Sequence, residues 1–246
     1  MNSSRTRTVL VLAAVAMAAL VFTATSASAA VVPVTGITGN HGGDEYGTGM
    51  GALINGSGMD TTADPSDPSK WVVAYNNYPD EWMANPLVGA LNSKIAWASF
   101  DLGTSTALAD LYLWNVRYSS GGDGTATYNL YYADSPTVAL PAQPNKGSWS
   151  NTGLTPQGDY DFVNGGGWTL FNTTGVLTVP KKGDSVVDLS GVTARYVALE
   201  ILTNQGSTYN GGRVGLLEVA VTTPEPATMA LLGLGGLALL RRRRRA

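Results

Sequence analysis

The sequence has no cysteine and a single histidine, His41, among its 246 residues. The absence of cysteine excludes disulfides, thiolate metal sites and thiol nucleophiles. One histidine cannot build a multi-histidine zinc site. A domain with this composition must therefore be held together by its apolar core, by a bound metal ion, or by both.

Basic residues are scarce in the middle of the chain. Only eight of the 15 lysines and arginines lie between residues 31 and 222, whereas 17 of the 18 acidic residues do. This region therefore carries about nine net negative charges, which the whole-chain value of −3 conceals. Because an acidic domain is repelled by a phosphate backbone, a nucleic acid is not an expected partner.

No stretch of the central region shows a sustained helical period of apolar residues. Short apolar runs alternate instead with clusters rich in Gly, Asn, Asp, Ser and Pro, which predicts an all-β domain. The regular spacing of short runs favours an antiparallel sandwich. The longer predicted strands are 95–102, 108–116, 127–133, 194–203 and 213–222, and the shorter ones lie near 168–171, 176–179 and 185–189.

Alternation within these runs predicts which side chains face the core. In 95–102, Phe100 and Leu102 share one face, and Ser99 and Asp101 lie on the other. The same reasoning applied to the last strand, 213–222, places Leu217, Val219 and Val221 on one face.

The N-terminus has the three parts of a secretory signal peptide. Arg5 and Arg7 are followed by an apolar run over 9–22 and by small residues at 26–30. Cleavage by signal peptidase is expected near Ala29 or Ala30. The alternative is an N-terminal membrane anchor, for which the apolar run is short.

The C-terminus combines a proline-bounded triplet, an apolar run over 227–240 and an arginine cluster. Prolines prevent the preceding domain from continuing, and consecutive arginines stay on the cytoplasmic side of a membrane. As a helix, the 14 apolar residues would span about 21 Å, less than a bilayer core of about 30 Å. The pattern comprises Pro224, Glu225, Pro226, Arg241, Arg242, Arg243, Arg244 and Arg245.

This three-part pattern resembles the PEP-CTERM sorting signal of bacterial exported proteins. The resemblance implies processing by an exosortase, transient anchoring in the inner membrane through 227–240, and delivery to the cell surface or extracellular matrix. Such proteins are commonly linked with exopolysaccharide and biofilms. A plain C-terminal membrane anchor is the alternative. The expected organisation is a signal peptide over 1–30, one domain over 31–222 and a sorting segment over 223–246.

Five segments of the central region resemble strands of discoidin-type (factor 5/8 C-type, galactose-binding-like) domains. In chain order they lie at 98–103, 111–115, 128–134, 194–201 and 215–219, the first containing Phe-Asp-Leu-Gly and the fourth Ala-Arg-Tyr-Val-Ala-Leu-Glu-Ile. The resemblance implies an antiparallel jelly-roll β-sandwich. In this chain it would be flanked by an N-terminal signal peptide and a C-terminal hydrophobic sorting helix.

The same resemblance implies a structural calcium ion. The segment 52–60 resembles the Ala-x-Asp-Gly loop with which many relatives hold the ion, through backbone carbonyls, an aspartate side chain and a glutamate of the closing strand. By position, the candidates here are Asn55, Asp60 and Glu218. Asn55 lacks the charge that relatives often have. The alternative is that Asn55 and Gly56 form a tight turn and that Glu218 faces solvent.

Relatives of this fold bind sugars, other polymers or proteins through loops at one end of the sandwich. A sugar site needs an aromatic plane and hydrogen-bonding groups, which favours Tyr78, Trp82, Asn115, Arg117, Trp168 and Tyr209 as candidates. The alternative for each tryptophan is a packing role.

These features predict a secreted, non-catalytic surface protein that binds carbohydrate, with extracellular polysaccharide as its partner. One alternative is a purely structural matrix or biofilm protein without a discrete ligand. A glycan-active hydrolase is the other, since Asp159 and Asp161 could form a carboxylate pair. Adjacent acidic residues in glycine-rich loops are usually only solvated, so catalysis is not expected.

Overall fold

A computed structural model describes residues 29–40, 50–74, 82–84, 96–116, 122–140, 160–164, 166–173, 175, 177–180, 184–206 and 214–225. One compact unit runs from Ala30 to Thr223. The second unit comprises Met1–Ala29 and Pro224–Ala246, of which only residues 29, 224 and 225 are described. The predicted signal peptide therefore lies almost wholly outside the described residues.

Two antiparallel sheets form the compact unit. The six-stranded sheet runs in the order β1 (Gly36–Asn40), β5 (Trp97–Ala107), β11 (Thr193–Asn204), β7 (Thr125–Ala133) and β8 (Thr169–Leu170), with β9 (Leu177–Thr178) also paired to β7. The four-stranded sheet runs in the order β10 (Asp184–Asp188), β6 (Asp110–Asn115), β12 (Val214–Val221) and β4 (Trp82–Ala84). The prediction of an all-β antiparallel sandwich is thus confirmed.

A two-stranded ribbon, β2 (Met59–Asp60) with β3 (Val72–Val73), completes the described strands. A short 3-10 helix at Met50–Ile54 precedes the ribbon, and another at Pro68–Lys70 lies in the loop between its two strands. Each of the eight strands expected from the sequence is present as β5, β6, β7, β8, β9, β10, β11 or β12, with ends shifted by a few residues.

Side chains from both sheets meet in one apolar core. Phe100 of β5 and Leu199 of β11 face Leu113 of β6 and Val219 of β12 there, all buried. Burying each such side chain stabilises the fold by about 1.5–3 kcal/mol relative to exposure. Alternation correctly predicts the inward side of β5, and it leaves Ser99 and Asp101 on the outer side.

The prediction for the last strand is wrong at Leu217. The register between β12 and β6 shifts between Leu216 and Glu218, as at a β-bulge. An extra residue in one strand reverses the alternation. Leu216 and Val219 therefore both belong to the central core, whereas Leu217 packs with Trp114 in a separate apolar cluster.

The β2–β3 ribbon contributes to that separate cluster, which includes Leu217 and Trp114 of the four-stranded sheet. Trp71, just before β3, stacks on Trp114 with ring centroids 5.6 Å apart, and Tyr112 stacks on Trp114 at 5.8 Å. The indole N–H of Trp71 donates to the carbonyl of Asp64 at 3.1 Å, which anchors the loop between the two strands. Thr61 and Pro65 of this loop line a pocket together with Glu218.

The outer face of the six-stranded sheet has its own cover, which we call the aromatic layer. It comprises Trp97, Tyr131, Tyr160, Phe162 and Trp168. The ring of Phe162 stacks on Tyr131 with centroids 4.8 Å apart. Glu200 is buried next to this layer and accepts hydrogen bonds from the Tyr131 hydroxyl at 3.0 Å and the Asn129 amide at 2.9 Å.

The beginning and end of the compact unit lie side by side. Val31 forms a β-bridge with Thr222, and the backbone N–H of Thr223 donates to the carbonyl of Ala30 at 2.9 Å. Thr222 is fully buried. The folded unit therefore extends to the residue that directly precedes Pro224.

Candidate functional site

A cleft of about 300 Å³ lies over the outer face of β1, β5 and β11. We call it the sheet-face cleft. Its floor is formed by side chains of adjacent strands, since Thr38 pairs with Ser99 and Asp101 with Tyr196. The lining residues are Gly36, Thr38, Ser99, Asp101 and Tyr196 on the strands and Pro136, Val138, Ala139 and Leu140 on the segment after β7.

Asp101 is held by an ion pair on the cleft floor. Its two carboxylate oxygens accept from Nε and Nη2 of Arg195, both at 2.9 Å, and one of them also accepts from the Gly103 N–H at 2.8 Å. The guanidinium, followed by the Gly103 and Tyr196 hydrogen bonds, holds the pKa of Asp101 below its ordinary value despite partial burial. Asp101 is therefore ionised and fully engaged at neutral pH.

An irregularity in the sheet makes this arrangement possible. The register between β5 and β11 shifts between Ala194 and Tyr196, so Arg195 lies at the irregular position. Regular alternation would send Arg195 and Tyr196 to opposite faces, yet both interact with Asp101. The Arg195 guanidinium carbon lies 4.9 Å from the centroid of the Tyr196 ring.

Ser99 leaves a hydrogen-bonding group unused at the bottom of the cleft. The residue is 2% exposed, and its hydroxyl has no hydrogen-bond partner among the described residues. A buried polar group without a partner costs about 1–3 kcal/mol. A ligand or water that reaches this hydroxyl would remove that cost.

The apolar wall of the cleft is anchored to the aromatic layer. The Tyr160 hydroxyl donates to the carbonyl of Val138 at 2.8 Å and accepts from the Trp168 indole N–H at 3.0 Å. Gly167 has φ +81°, and a β-carbon there would lie 2.8 Å from the carbonyl oxygen of Ser135. The absence of a side chain at Gly167 lets its backbone approach the backbone of Ser135.

Trp168, a predicted ligand contact, is half-buried in the aromatic layer next to the cleft. Its ring packs in a T-shaped arrangement with Phe162 and with Tyr196, at centroid distances of 5.1 Å and 6.4 Å. It therefore supports both sides of the cleft, the Tyr196 floor directly and the Val138 wall through Tyr160.

Two other predicted contacts lie in the interior. Trp82 is 1% exposed and belongs to the central core. Asn115 is fully buried, and its amide nitrogen donates to the carbonyls of Thr125 at 2.8 Å and Pro180 at 3.0 Å. Packing accounts for the Trp82 ring, but its buried indole N–H has no hydrogen-bond partner among the described residues. Backbone hydrogen bonds account for the amide of Asn115. Tyr78, Arg117 and Tyr209 lie outside the described residues.

Glu218, the predicted calcium ligand of the closing strand, is 1% exposed rather than facing solvent. One carboxylate oxygen accepts from the Gly56 N–H at 2.9 Å. Burial raises the pKa of Glu218 to about 8, against the lowering effect of hydrogen bonds from the Gly56 and Val219 backbone. The side chain lines a second pocket, of about 260 Å³, together with Asn55.

The residues around Glu218 fit a hard cation in part. The Ser57 hydroxyl is buried without a hydrogen-bond partner among the described residues. Buried polar groups usually have a partner, so this oxygen is available to a bound ion or water. The side-chain oxygen of Asn55 accepts a hydrogen bond from the Ser57 N–H at 2.8 Å. A carboxylate oxygen of Asp60 accepts one from the Thr62 hydroxyl at 2.6 Å, and Asp60 is partly exposed. Within the described part of the chain, no three His, Cys, Asp or Glu residues cluster as a metal site. Glu218 is thus the main carboxylate here.

Sequence reasoning missed the residues of the cleft floor, although one signal was present. Alternation in 95–102 places Ser99 and Asp101 on the outer face of the sheet. Polar residues are ordinary on an exposed face, and these two mark a site only because another segment covers that face. Of the carboxylate pair considered for hydrolysis, Asp161 accepts hydrogen bonds from Val163 and Asn164, and Asp159 lies outside the described residues.

Comparison with protein families supports the resemblance of the C-terminal segment to a sorting signal. Residues 222–245 match the PEP-CTERM protein-sorting motif, which indicates an exported protein sorted to the cell surface or beyond. No curated protein has a significantly similar sequence. In the described part of the chain, no helix has the length and apolarity needed to cross a membrane.

Several solved structures are similar in fold to this chain. The family 32 CBM of C. perfringens NanJ, in complex with galactose, is 14% identical and has a TM-score of 0.43, covering 78% of this chain and 98% of its own. A fucose binding module of Streptococcus pneumoniae is 10% identical with a TM-score of 0.44, covering 79% and 95%. An F5/8 type C domain from Bacteroides fragilis is 11% identical with a TM-score of 0.42, covering 76% and 90%.

Proposed function

We propose that this is an exported, non-catalytic protein of the cell surface or extracellular matrix that binds carbohydrate in the sheet-face cleft. The observation that carries the proposal is the contrast between the two sides of the cleft. Val138, Ala139 and Leu140 form an apolar side, whereas Thr38 and the buried Ser99 lie on the other. Ligand sites generally combine an apolar lining with a few placed polar groups.

A sugar ring suits this contrast because it is itself two-sided. Its C–H groups pack on apolar surface, and its hydroxyls both donate and accept hydrogen bonds. The unpartnered Ser99 hydroxyl can make such a bond without breaking one in the protein. The volume of about 300 Å³ lies at the lower end of the range for small-molecule sites, which favours one or two sugar units.

Binding of neutral monosaccharides tests this site, with galactose and fucose as first probes. Ser99→Ala should weaken binding by about 2- to 10-fold, the value of one hydrogen bond of about 0.5–1.5 kcal/mol. Ala139→Trp, at an exposed lining position, should abolish binding by filling the cleft. Isothermal titration calorimetry on the purified protein measures both, and Ser190→Ala, an exposed serine after β10, is the matched control.

Two results would contradict carbohydrate binding in the cleft. Sugars that bind equally well to the wild type and to Ala139→Trp must bind elsewhere. A protein that retains no sugar on a broad glycan array would instead favour a structural matrix role. Hydrolysis of any arrayed glycan would reinstate the enzyme alternative.

The sorting segment gives the proposal its location. An exosortase would remove the segment after transient anchoring in the inner membrane through 227–240, and signal peptidase would act near Ala29 or Ala30. Because Thr222 is buried and forms a β-bridge with Val31, the exosortase cut should fall after Thr222. Intact mass of the protein from its native host measures this, and a mature chain that keeps Arg241–Arg245 would contradict processing.

Calcium belongs to the proposal as a structural ion at Glu218. Glu218 would supply the carboxylate, and Asn55 and Asp60 would add oxygens from the neighbouring loop. Its chemistry would be to neutralise a buried negative charge, since calcium prefers several oxygen ligands on a turn-rich loop. The ion would join β12 to the loop before β2 and leave the sheet-face cleft unchanged.

A further inference from the structure

A negatively charged side chain lines the sheet-face cleft, whereas its positively charged partner does not. Among the described residues that line it, Asp101 is the one that is charged at neutral pH, since Tyr196 has a pKa raised above its ordinary value by partial burial. Its pKa is lowered, so it stays ionised at neutral pH. Any ligand in the cleft therefore meets a carboxylate on the floor.

The matching positive charge is already committed. Arg195 donates to both oxygens of Asp101 at 2.9 Å, and its guanidinium lies against the Tyr196 ring. A bidentate pair of this geometry uses the donors of the guanidinium that face the carboxylate. Arg195 is not among the residues that line the cleft, so its guanidinium balances Asp101 from beside the cleft.

The groups that remain for hydrogen bonding are uncharged. They are the hydroxyls of Thr38 and Ser99, which can donate to or accept from a sugar hydroxyl, since the Tyr196 hydroxyl is already hydrogen-bonded to Asp101. A ligand carboxylate placed here would be desolvated, with Asp101 as its charged neighbour and no free cation among the described lining residues. Such a like-charge contact in a partly buried site is unfavourable.

We propose that the sheet-face cleft selects uncharged sugars and rejects the corresponding uronic acids, with the Asp101–Arg195 pair as the selecting element. The inference rests on the proposed carbohydrate binding. It assigns the ligand class to neutral hexose units and excludes polymers rich in uronate at this site.

Matched sugar pairs test the selection. The methyl glycosides of galactose, glucose and mannose each differ from their uronic acids only at C6, where a hydroxymethyl group replaces a carboxylate. For the pair whose neutral member binds best, we expect the uronate to bind at least about 10-fold more weakly at low salt. High salt should narrow the difference, because screening weakens the repulsion.

Two substitutions that break the same ion pair should act in opposite directions. Asp101→Asn removes the repelling charge and frees Arg195, so uronate binding should strengthen relative to the neutral sugar. Arg195→Gln leaves Asp101 unbalanced, so uronate binding should weaken further. A loss of structure would instead affect both sugars and both variants in the same direction. Asp188→Asn, on β10 in the other sheet, changes the net charge equally and should leave the ratio unchanged.

The outcomes separate the two proposals. Equal binding of a neutral sugar and its uronate overturns the selection and leaves carbohydrate binding standing. A shift of the ratio by Asp188→Asn as large as that by Asp101→Asn also overturns it, because the effect would then come from net charge. If no member of any pair binds the wild type, the selection and carbohydrate binding in the cleft both fail.

Discussion

Chelator-treated protein is expected to lose about 4 kcal/mol of unfolding free energy between pH 5 and pH 9, and Glu218→Gln is expected to remove most of that loss. Burial raises the pKa of Glu218 from 4.5 to about 8 in the folded state. A tenfold difference in proton affinity between the folded and unfolded states corresponds to about 1.4 kcal/mol of stability. The effect is large because the side chain is 1% exposed and its described hydrogen bonds come from backbone N–H groups alone.

The direction follows from proton binding. Below pH 4.5 both states hold the Glu218 proton, and the contribution to stability is complete. Between pH 4.5 and about 8 the folded state keeps the proton that the unfolded state has released, so stability falls as the pH rises. Asp64 and Asp101, whose pKa values are lowered, act in the opposite sense and below about pH 4. The two windows therefore do not overlap.

Calcium should offset the loss at high pH. A cation that binds the ionised carboxylate of the folded state alone stabilises it by mass action, by about 2.7 kcal/mol at 100 times the dissociation constant. Thermal melts at pH 8 with chelator, millimolar calcium or millimolar magnesium measure this. Glu218→Gln should respond to neither ion, and Asp60→Asn asks whether that exposed carboxylate contributes.

Two findings would count against this account. A wild type that calcium does not stabilise at pH 8 rules out the structural ion but leaves the pH prediction intact. A Glu218→Gln protein that is as pH-sensitive as the wild type shows that the carboxylate does not titrate as its burial requires.

Trp82→Ala is expected to cost about 3–5 kcal/mol of stability and to leave sugar affinity per folded molecule unchanged. Removing a fully buried aromatic side chain loses its transfer free energy and leaves a cavity. Trp82 lies on β4, at the edge of the four-stranded sheet, and points into the central core. The cleft lies over the other sheet, so its lining is untouched.

Trp168→Ala is the informative comparison. Trp168 is half-buried, so its removal should cost less stability than that of Trp82, but it supports both Tyr196 and the anchor of Val138. Sugar binding should therefore weaken in this variant. Urea unfolding gives the stabilities, and calorimetry at a temperature where both variants are folded gives the affinities. If Trp82→Ala were stable and unable to bind sugar, Trp82 would be a ligand contact after all.

Strand positions and the sorting motif can be predicted from the sequence because both depend on neighbouring residues. A period of two identifies a half-buried strand locally, which is why it assigns Phe100 and Leu102 to the core correctly. The sorting motif is a contiguous pattern over 222–245, so no tertiary contact is needed to recognise it. Residues 226–246 lie outside the described structure, yet the motif is still identified.

The failures of sequence reasoning have a common cause. Alternation places Leu217 on the wrong face because a bulge opposite β6 reverses the pattern. Residue type favours Trp82 and Asn115 as ligand contacts and both stay predictions, but their burial could not be predicted because it depends on strands far away in the chain. The alternative in which Glu218 faces solvent is wrong, because the side chain is buried and accepts a hydrogen bond from the Gly56 N–H.

The sequence by itself thus determined that the chain is cysteine-free, acidic in its central region, all-β in fold and equipped with a protein-sorting motif. Composition, alternation and a contiguous motif can each be read without knowledge of tertiary contacts. Tertiary structure decided where a ligand could bind. The cleft requires β1, β5 and β11 side by side and the 136–140 segment above them, which brings together residues about 160 positions apart. Hydrophobic burial sets such long-range pairings through the whole core, and no short pattern in the chain encodes them.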